Sequence, residues 1–392
     1  MAYIENRTIH DADSHVMEFP DKIFEFVSSK YREEFRPYLR KREQSWIEEM
    51  KMLQDNPEYR AGAEREIMLR RGHNALGAFR KEDRPKTLDY LGFTSQLVFT
   101  SDALDNYGLE TGKTNQLACE AARAHNRMMA DFCNVDDRLL ATGYIPLVDF
   151  QEAPRIATEA LEMGCKGLVI PSRCPPGHSP SHTAFEPLWC IAEEAGIPIL
   201  FHVGGEHKMN PDYHNNGQAQ VLDFHGGAEN FTSSSYMTIP LSVWQTMAVL
   251  IIDGVLDRHE NLKFGAIELG ASWVPSWMRF MDSGVAAFTK GEQRLKNLSA
   301  KPSEIVRRQF RVTPYPHEPT GWIIDNTGPE VCLFSSDFPH VEGGRNPMKR
   351  FGEAIKDISQ ENQTRFYRDN FIDLMGQGLD QSLHDHPSQR AE

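Results

Sequence analysis

Apolar runs of strand length, separated by amphipathic segments of helix length, recur along most of this chain, and that alternation restricts its fold more than any other feature. The runs fall at 8–12, 96–100, 140–145, 167–171, 198–203, 263–267 and 331–335, with a weaker one at 309–312. Intervening stretches such as FQEAPRIATEALEMG and FEPLWCIAEEAG carry helical periodicity and end at glycine, a common helix terminator. Strands apolar at nearly every position belong to parallel sheets covered on both faces. Eight such β/α units predict a closed (β/α)8 barrel rather than an open doubly wound sheet. No G-x-G-x-x-G follows the first run, which argues against a dinucleotide fold.

At 392 residues the chain exceeds an ordinary single core, and the surplus lies in two interruptions. Residues 19–86, including KYREEFRPYLRKREQSWIEEMKMLQ, read as a charge-rich helical insertion that forms a solvated cap or a subunit contact. Residues 204–240 are rich in Gly, Asn and His and follow the fifth run. In a barrel such a loop overhangs the mouth where active sites lie. The expected organisation is one domain over 1–376 with a C-terminal tail over 377–392, whose final DQSLHDHPSQRAE reads as frayed. A net charge of −14, without a basic face, excludes a nucleic-acid partner. The apolar runs are too short for a bilayer, and the N-terminus lacks a secretory signal, so a cytoplasmic enzyme with no membrane contact is expected. Six cysteines without C-x-x-C spacing read as buried thiols.

Four strand ends carry ionisable residues. The first run leads into Asp13 and His15, two apart and so on one side of a strand; the fifth ends in His202; the sixth leads into Glu268; the eighth leads into Asp337 and, beyond it, His340. Burying any of these alone is costly, whereas in a barrel they converge on one axis, where carboxylates and imidazoles suit one divalent metal ion. Zn2+ is the expected ion, with Mn2+ or Fe2+ also compatible with so many oxygen donors. Glu268 completes the shell or bonds a ligating histidine. Loop residues placed to touch a small-molecule substrate are Arg173, His207, His225, Glu229, Trp273 and Tyr315.

The segments DADSHVMEFPD, HTAFEPLWCIAEEAGIPILFHVGG, NLKFGAIELGASWVP and LFSSDFPHVEG together resemble the amidohydrolase-related branch of the amidohydrolase superfamily, over roughly residues 7–20 and 88–376. The resemblance implies a TIM barrel with one divalent metal, ligated by Asp13, His15 and His202, with Asp337 as ligand, base or both. The branch includes aminocarboxymuconate semialdehyde decarboxylase and γ-resorcylate-type decarboxylases as well as hydratases and carbon–carbon bond hydrolases. Two positions depart from its pattern. Asp13 stands where many members have the first histidine of H-x-H, and Glu268 stands where the decarboxylases usually have histidine. Lys166 precedes the fourth strand on the face away from the mouth, so a carbamylated lysine bridging two metals is not expected.

The expected function is hydrolysis of a small organic molecule by metal-activated water, with Asp337 as general base and Glu268 and His340 as further catalytic groups. The alternative is non-oxidative decarboxylation or hydration of an aromatic or unsaturated carboxylic acid. A homodimer or higher homo-oligomer is expected from the inserted segment and the resemblance.

Overall fold

The computed structural model describes residues 2–103, 110, 114–204, 209–219 and 233–385. Among them β1 (His10–His15), β2 (Ser95–Phe99), β3 (Leu139–Tyr144), β4 (Gly167–Val169), β5 (Ile199–His202), β6 (Phe264–Ile267) and β7 (Phe310–Val312) form one curled sheet. Each strand pairs in parallel with the next in sequence. Every residue in these strands is buried, as the unbroken apolar runs require.

The eighth run departs from expectation. Residues 331–338 make only isolated parallel bridges, Cys332 with Val312 and Phe338 with Ser14. They still bond both edges of the sheet: Val312 N donates to the Val331 carbonyl at 2.8 Å, and Ala12 N donates to that of Phe334 at 3.1 Å. A regular ladder fails here because Asp337 takes a left-handed φ of 52°. In addition, the Asp11 carboxylate captures Ser336 N at 2.7 Å. The segment therefore spans the gap between β7 and β1 without becoming a strand.

Helices cover the outer face. Asn115–Cys133 begins at Thr114, whose hydroxyl accepts from Leu117 N at 3.2 Å, and buries Leu117, Ala121 and Met128. Glu186–Ala195 ends at Gly196, where φ is 62° and an added Cβ would lie 2.7 Å from Gln377. The stretch Ser233–Ile252 is long and apolar enough, by length and composition, to cross a membrane, which the short apolar runs had not suggested. Its Val243, Met247, Leu250 and Ile251 side chains are fully buried in the protein core.

The inserted segment forms the helices Lys22–Phe26, Gln44–Asp55, Pro57–Arg65 and Arg84–Leu91. It is more than a solvated cap. Phe19, Ile47 and Met50 make a small core of their own, and the fully buried Arg84 donates to the His15 carbonyl at 2.9 Å. The start of the stretch expected to fray is anchored: Leu383 is buried and Asp385 pairs with Arg368 at 2.6 Å. All six cysteines are free thiols, but only four are buried: Cys190 is half-buried and Cys174 is exposed.

Candidate metal centre

The strand ends bring Asp13, His15, His202, Glu268, Asp337 and His340 together, and all six are buried. A register shift between Asp11 and Ser14 lets the end of β1 aim Asp13 and His15 at one point. His15 Nε2 lies 3.3 Å from Asp13 Oδ1, 3.5 Å from Asp337 Oδ1 and 3.8 Å from Glu268 Oε2. His202 Nε2 lies 3.4 Å from both Asp13 Oδ1 and Glu268 Oε2. Donors about 2.1 Å from a tetrahedral ion stand roughly 3.4 Å apart, so these separations match a coordination shell.

Proton bookkeeping on the imidazoles supports the same reading. His15 Nδ1 faces the Thr100 carbonyl at 2.9 Å, and His202 Nδ1 faces that of Val203 at 2.9 Å. A carbonyl only accepts, so each Nδ1 carries hydrogen and each Nε2 of a neutral ring points a lone pair at the carboxylates. Burial, with the neighbouring His340, pushes the His15 pKa down to about 4, keeping the ring neutral. His15 Nε2, Asp13 Oδ2 and both Asp337 oxygens are buried without a hydrogen-bond partner. Lone pairs facing lone pairs in a buried site call for a cation, and the donor set fits one divalent ion held by Asp13, His15, His202 and Asp337.

Two of the three non-glycine residues with positive φ among those described are Glu268 (55°) and Asp337 (52°). Surrounding bonds hold both in this costly conformation. Glu268 N donates to Thr313 Oγ1 at 2.8 Å and its carbonyl accepts from Tyr315 Oη at 2.7 Å. Asp337 N donates to the Asp13 carbonyl at 2.9 Å. Behind it, Asp11 accepts from Ser336 Oγ at 2.6 Å and Gln96 Nε2 at 2.8 Å, and burial raises its pKa to about 7. Glu318 gathers the amides of Ala271, Ser272 and Tyr315, tying the loops after β6 and β7 together.

The other expected residues divide. His340 stacks on His15 with ring centres 3.8 Å apart, its Nδ1 is 3.3 Å from Asp337 Oδ1, and its Nε2 is 2.7 Å from Ser101 Oγ. Tyr315 stands beside Glu268, in a parallel stack with His317 at 5.6 Å, while Tyr236 bonds His317 at 3.1 Å. These rings, with Ile239 and Arg350, wall a cavity of about 420 Å3 that reaches Glu268. Arg173 pairs with the buried Glu110 at 3.2 Å. Trp273 stands apart from this cavity's wall. Its indole N–H donates to the Gly270 carbonyl at 2.9 Å and its ring packs edge-on against Trp277, so it braces the wall outside the cavity. His207, His225 and Glu229 lie outside the described residues.

Sequence reasoning passed over Asp11, Glu18, Ser101, Thr313 and Glu318. Asp11 carried a signal in the run Asp11-Ala-Asp13, a second acid on an apolar strand; the others are ordinary loop polar residues with no mark of their own.

A parallel α/β sheet with carboxylates and imidazoles converging at its strand ends defines a metal-dependent enzyme. The chain belongs to the amidohydrolase family, whose profile matches residues 13–374. No curated protein matches it. Among solved structures it is similar to the amidohydrolase map2389c from Mycobacterium avium subsp. paratuberculosis K-10, at 18% identity and a TM-score of 0.71, over 95% of this chain and 100% of that one. It is also similar to a 5-carboxyvanillate decarboxylase from Novosphingobium aromaticivorans complexed with manganese and 4-hydroxy-3-methoxy-5-nitrobenzoic acid, at 14% identity and a TM-score of 0.63, over 94% and 96% of the two chains. A third is a dihydroxybenzoic acid decarboxylase from Polaromonas sp. JS666 with bound manganese and 2-nitroresorcinol, at 15% identity and a TM-score of 0.59, over 95% and 97%. At these identities the likeness establishes a shared fold.

Proposed function

We propose that this chain is a metal-dependent, non-oxidative decarboxylase of an aromatic or otherwise unsaturated carboxylic acid. The observation that carries the reading is a cavity walled by Tyr236, Tyr315 and His317, with Arg350 and Glu342 also on its wall, that reaches Glu268, one member of the oxygen-rich donor cluster. A flat ring fits the stacked wall, its anionic group is attracted to the guanidinium, and its oxygens reach toward the donors. Similarity to decarboxylases of substituted benzoic acids supports it, and the manganese in two of them, with the carboxylate-rich donors here, favours Mn2+ over the Zn2+ expected from sequence.

Asp13, His15, His202 and Asp337 would hold the ion. When bound, it neutralises the cluster and draws in substrate oxygens. Asp337, beside His340, would take up one proton from solvent and pass it to the substrate carbon, which keeps the electron pair of the breaking C–COO bond as CO2 leaves, so one proton is consumed per CO2 released. Glu268 Oε2, 3.4 Å from His202 Nε2, adds a further carboxylate oxygen around the ion's place. The sheet together with residues 331–338 reads as a (β/α)8 barrel, and a cytoplasmic homo-oligomer remains part of the proposal. One observation favours the second reading, hydrolysis: Glu268 supplies a carboxylate able to accept a proton from water.

Metal-stripped protein restored with Mn2+ or Zn2+ should release one CO2 per product from 2,6-dihydroxybenzoate, 5-carboxyvanillate or a related acid. Cleavage of amides or lactones in the same panel, without CO2 from any acid, would overturn decarboxylation in favour of hydrolysis.

A further inference from the structure

The structure assigns Glu18 a positioning role: from just beyond β1, it fixes the two imidazoles His15 and His340 through the loop after β2. Glu18 is buried, and its Oε1 accepts from Thr100 Oγ1 and from Ala103 N at 2.7 Å. Ser101 N donates to Oε1 at 3.2 Å and to Oε2 at 3.1 Å. One carboxylate therefore gathers donors from three residues in four, and each of the first two leads to the centre. The Thr100 carbonyl takes the Nδ1 hydrogen of His15 at 2.9 Å, which leaves the Nε2 lone pair facing the metal donors. Ser101 Oγ meets His340 Nε2 at 2.7 Å. Without Glu18, three donors, two of them buried, lose their acceptor and the loop has no reason to hold the Thr100 carbonyl against His15.

The geometry also says why glutamine is a poor substitute. If its oxygen takes the Oε1 place, its NH2 lies about where Oε2 was and meets the Ser101 amide donor to donor. Aspartate keeps the charge but is one methylene shorter, so its oxygens withdraw from all three donors.

The inference rests on the proposed metal centre but not on which bond is broken, and Mn2+ binding tests it directly. Stripped wild type, Glu18→Gln and Glu18→Asp are titrated with Mn2+ by calorimetry, with circular dichroism reporting the fold. Residues that orient metal ligands typically account for about 10- to 100-fold in affinity, and that weakening is expected in both variants with the fold intact. Stripped, zinc-loaded wild type should also show His15 as the Nδ1–H tautomer in a long-range 15N imidazole spectrum, and Glu18→Asp should alter that signal. Unchanged Mn2+ affinity in Glu18→Asp would overturn the assignment even if Glu18→Gln failed to fold. Wild type that binds neither Mn2+ nor Zn2+ would overturn the metal centre and this inference together, whereas tight Mn2+ binding without decarboxylation would remove only the proposed reaction.

Discussion

Replacing Asp337 by asparagine should stabilise the metal-free protein while weakening its response to metal, a pair of opposite signs that ordinary structural damage does not produce. Donor atoms of Asp337 and Glu268 lie within 4.8 Å of each other in a buried cluster. Two like charges at that distance repel by about 3 kcal/mol at an effective dielectric constant of about 20. Neighbouring imidazoles reduce this, so relief of about 1–2 kcal/mol is expected. Asparagine tolerates the left-handed φ of 52° as well as aspartate does, so no backbone cost offsets the gain. For 392 residues the unfolding entropy is about 0.8 kcal/mol per kelvin, which turns that relief into a Tm rise of about 1–3 °C. In wild type, Mn2+ at one hundred times its Kd contributes about 2.7 kcal/mol and raises Tm by about 3 °C. Asp337→Asn should show less than half that rise at the same Mn2+ concentration. Scanning calorimetry of chelator-stripped proteins, with and without Mn2+, measures both effects. A stripped variant melting more than 2 °C below wild type would refute the repulsion argument, and a wild-type Tm unmoved by 1 mM Mn2+ or Zn2+ would refute the cation site.

Asp11→Ala should cost about 2–5 kcal/mol in denaturant unfolding, because the Ser336 and Gln96 donors lose a buried acceptor; a loss under 1 kcal/mol would show that the eighth segment holds itself. Tyr315→Phe should cost about 1 kcal/mol by removing the bond to the Glu268 carbonyl, and in activity assays should lower turnover more than it weakens Mn2+ binding. His73, stacked on Phe19, has its pKa pushed down to about 4 by burial, aided by Arg42. The unfolded chain therefore binds more protons between pH 6.5 and 4, so the contribution of His73 is complete above pH 6.5 and falls by up to about 3 kcal/mol as pH drops to 4. His73→Phe should flatten the wild-type slope of stability against pH across that window, and identical slopes would disprove the assignment.

Much of the scaffold was legible because a parallel strand buried on both faces has a simple signature. Seven of the eight apolar runs became strands, and the helix ending at Gly196 stops where its glycine indicates. The eighth run, Val331 to Ser335, is as apolar as the others, but its pairing was settled by Asp11, 325 residues away, which no local pattern encodes. The insertion misled for a related reason. Its composition is that of a solvated surface, while the few residues that anchor it, Phe19, Ile47, Met50 and Arg84, are scattered among charged neighbours. Trp273 follows Glu268 closely in sequence, and the turn there lays its indole N–H on the carbonyls of Leu269 and Gly270, a contact no local pattern encodes.

The centre itself was readable where it violated a rule. Aspartate and histidine on fully buried strands are so unfavourable that their presence at Asp13, His15 and His202 required an explanation, and that is the kind of conflict between local preference and fold that marks functional sites. The structure adds a second violation, invisible in sequence. At Glu268 and Asp337 the backbone adopts a conformation suited to glycine, at about 1 kcal/mol or more each, and glycine in either place would remove both strain and buried charge. Strain and repulsion thus accumulate on the same carboxylates, and substituting them should stabilise the empty protein. A chain that keeps acids in these positions keeps them for something that reverses the sign of the interaction, and a divalent cation held among the imidazole lone pairs does so.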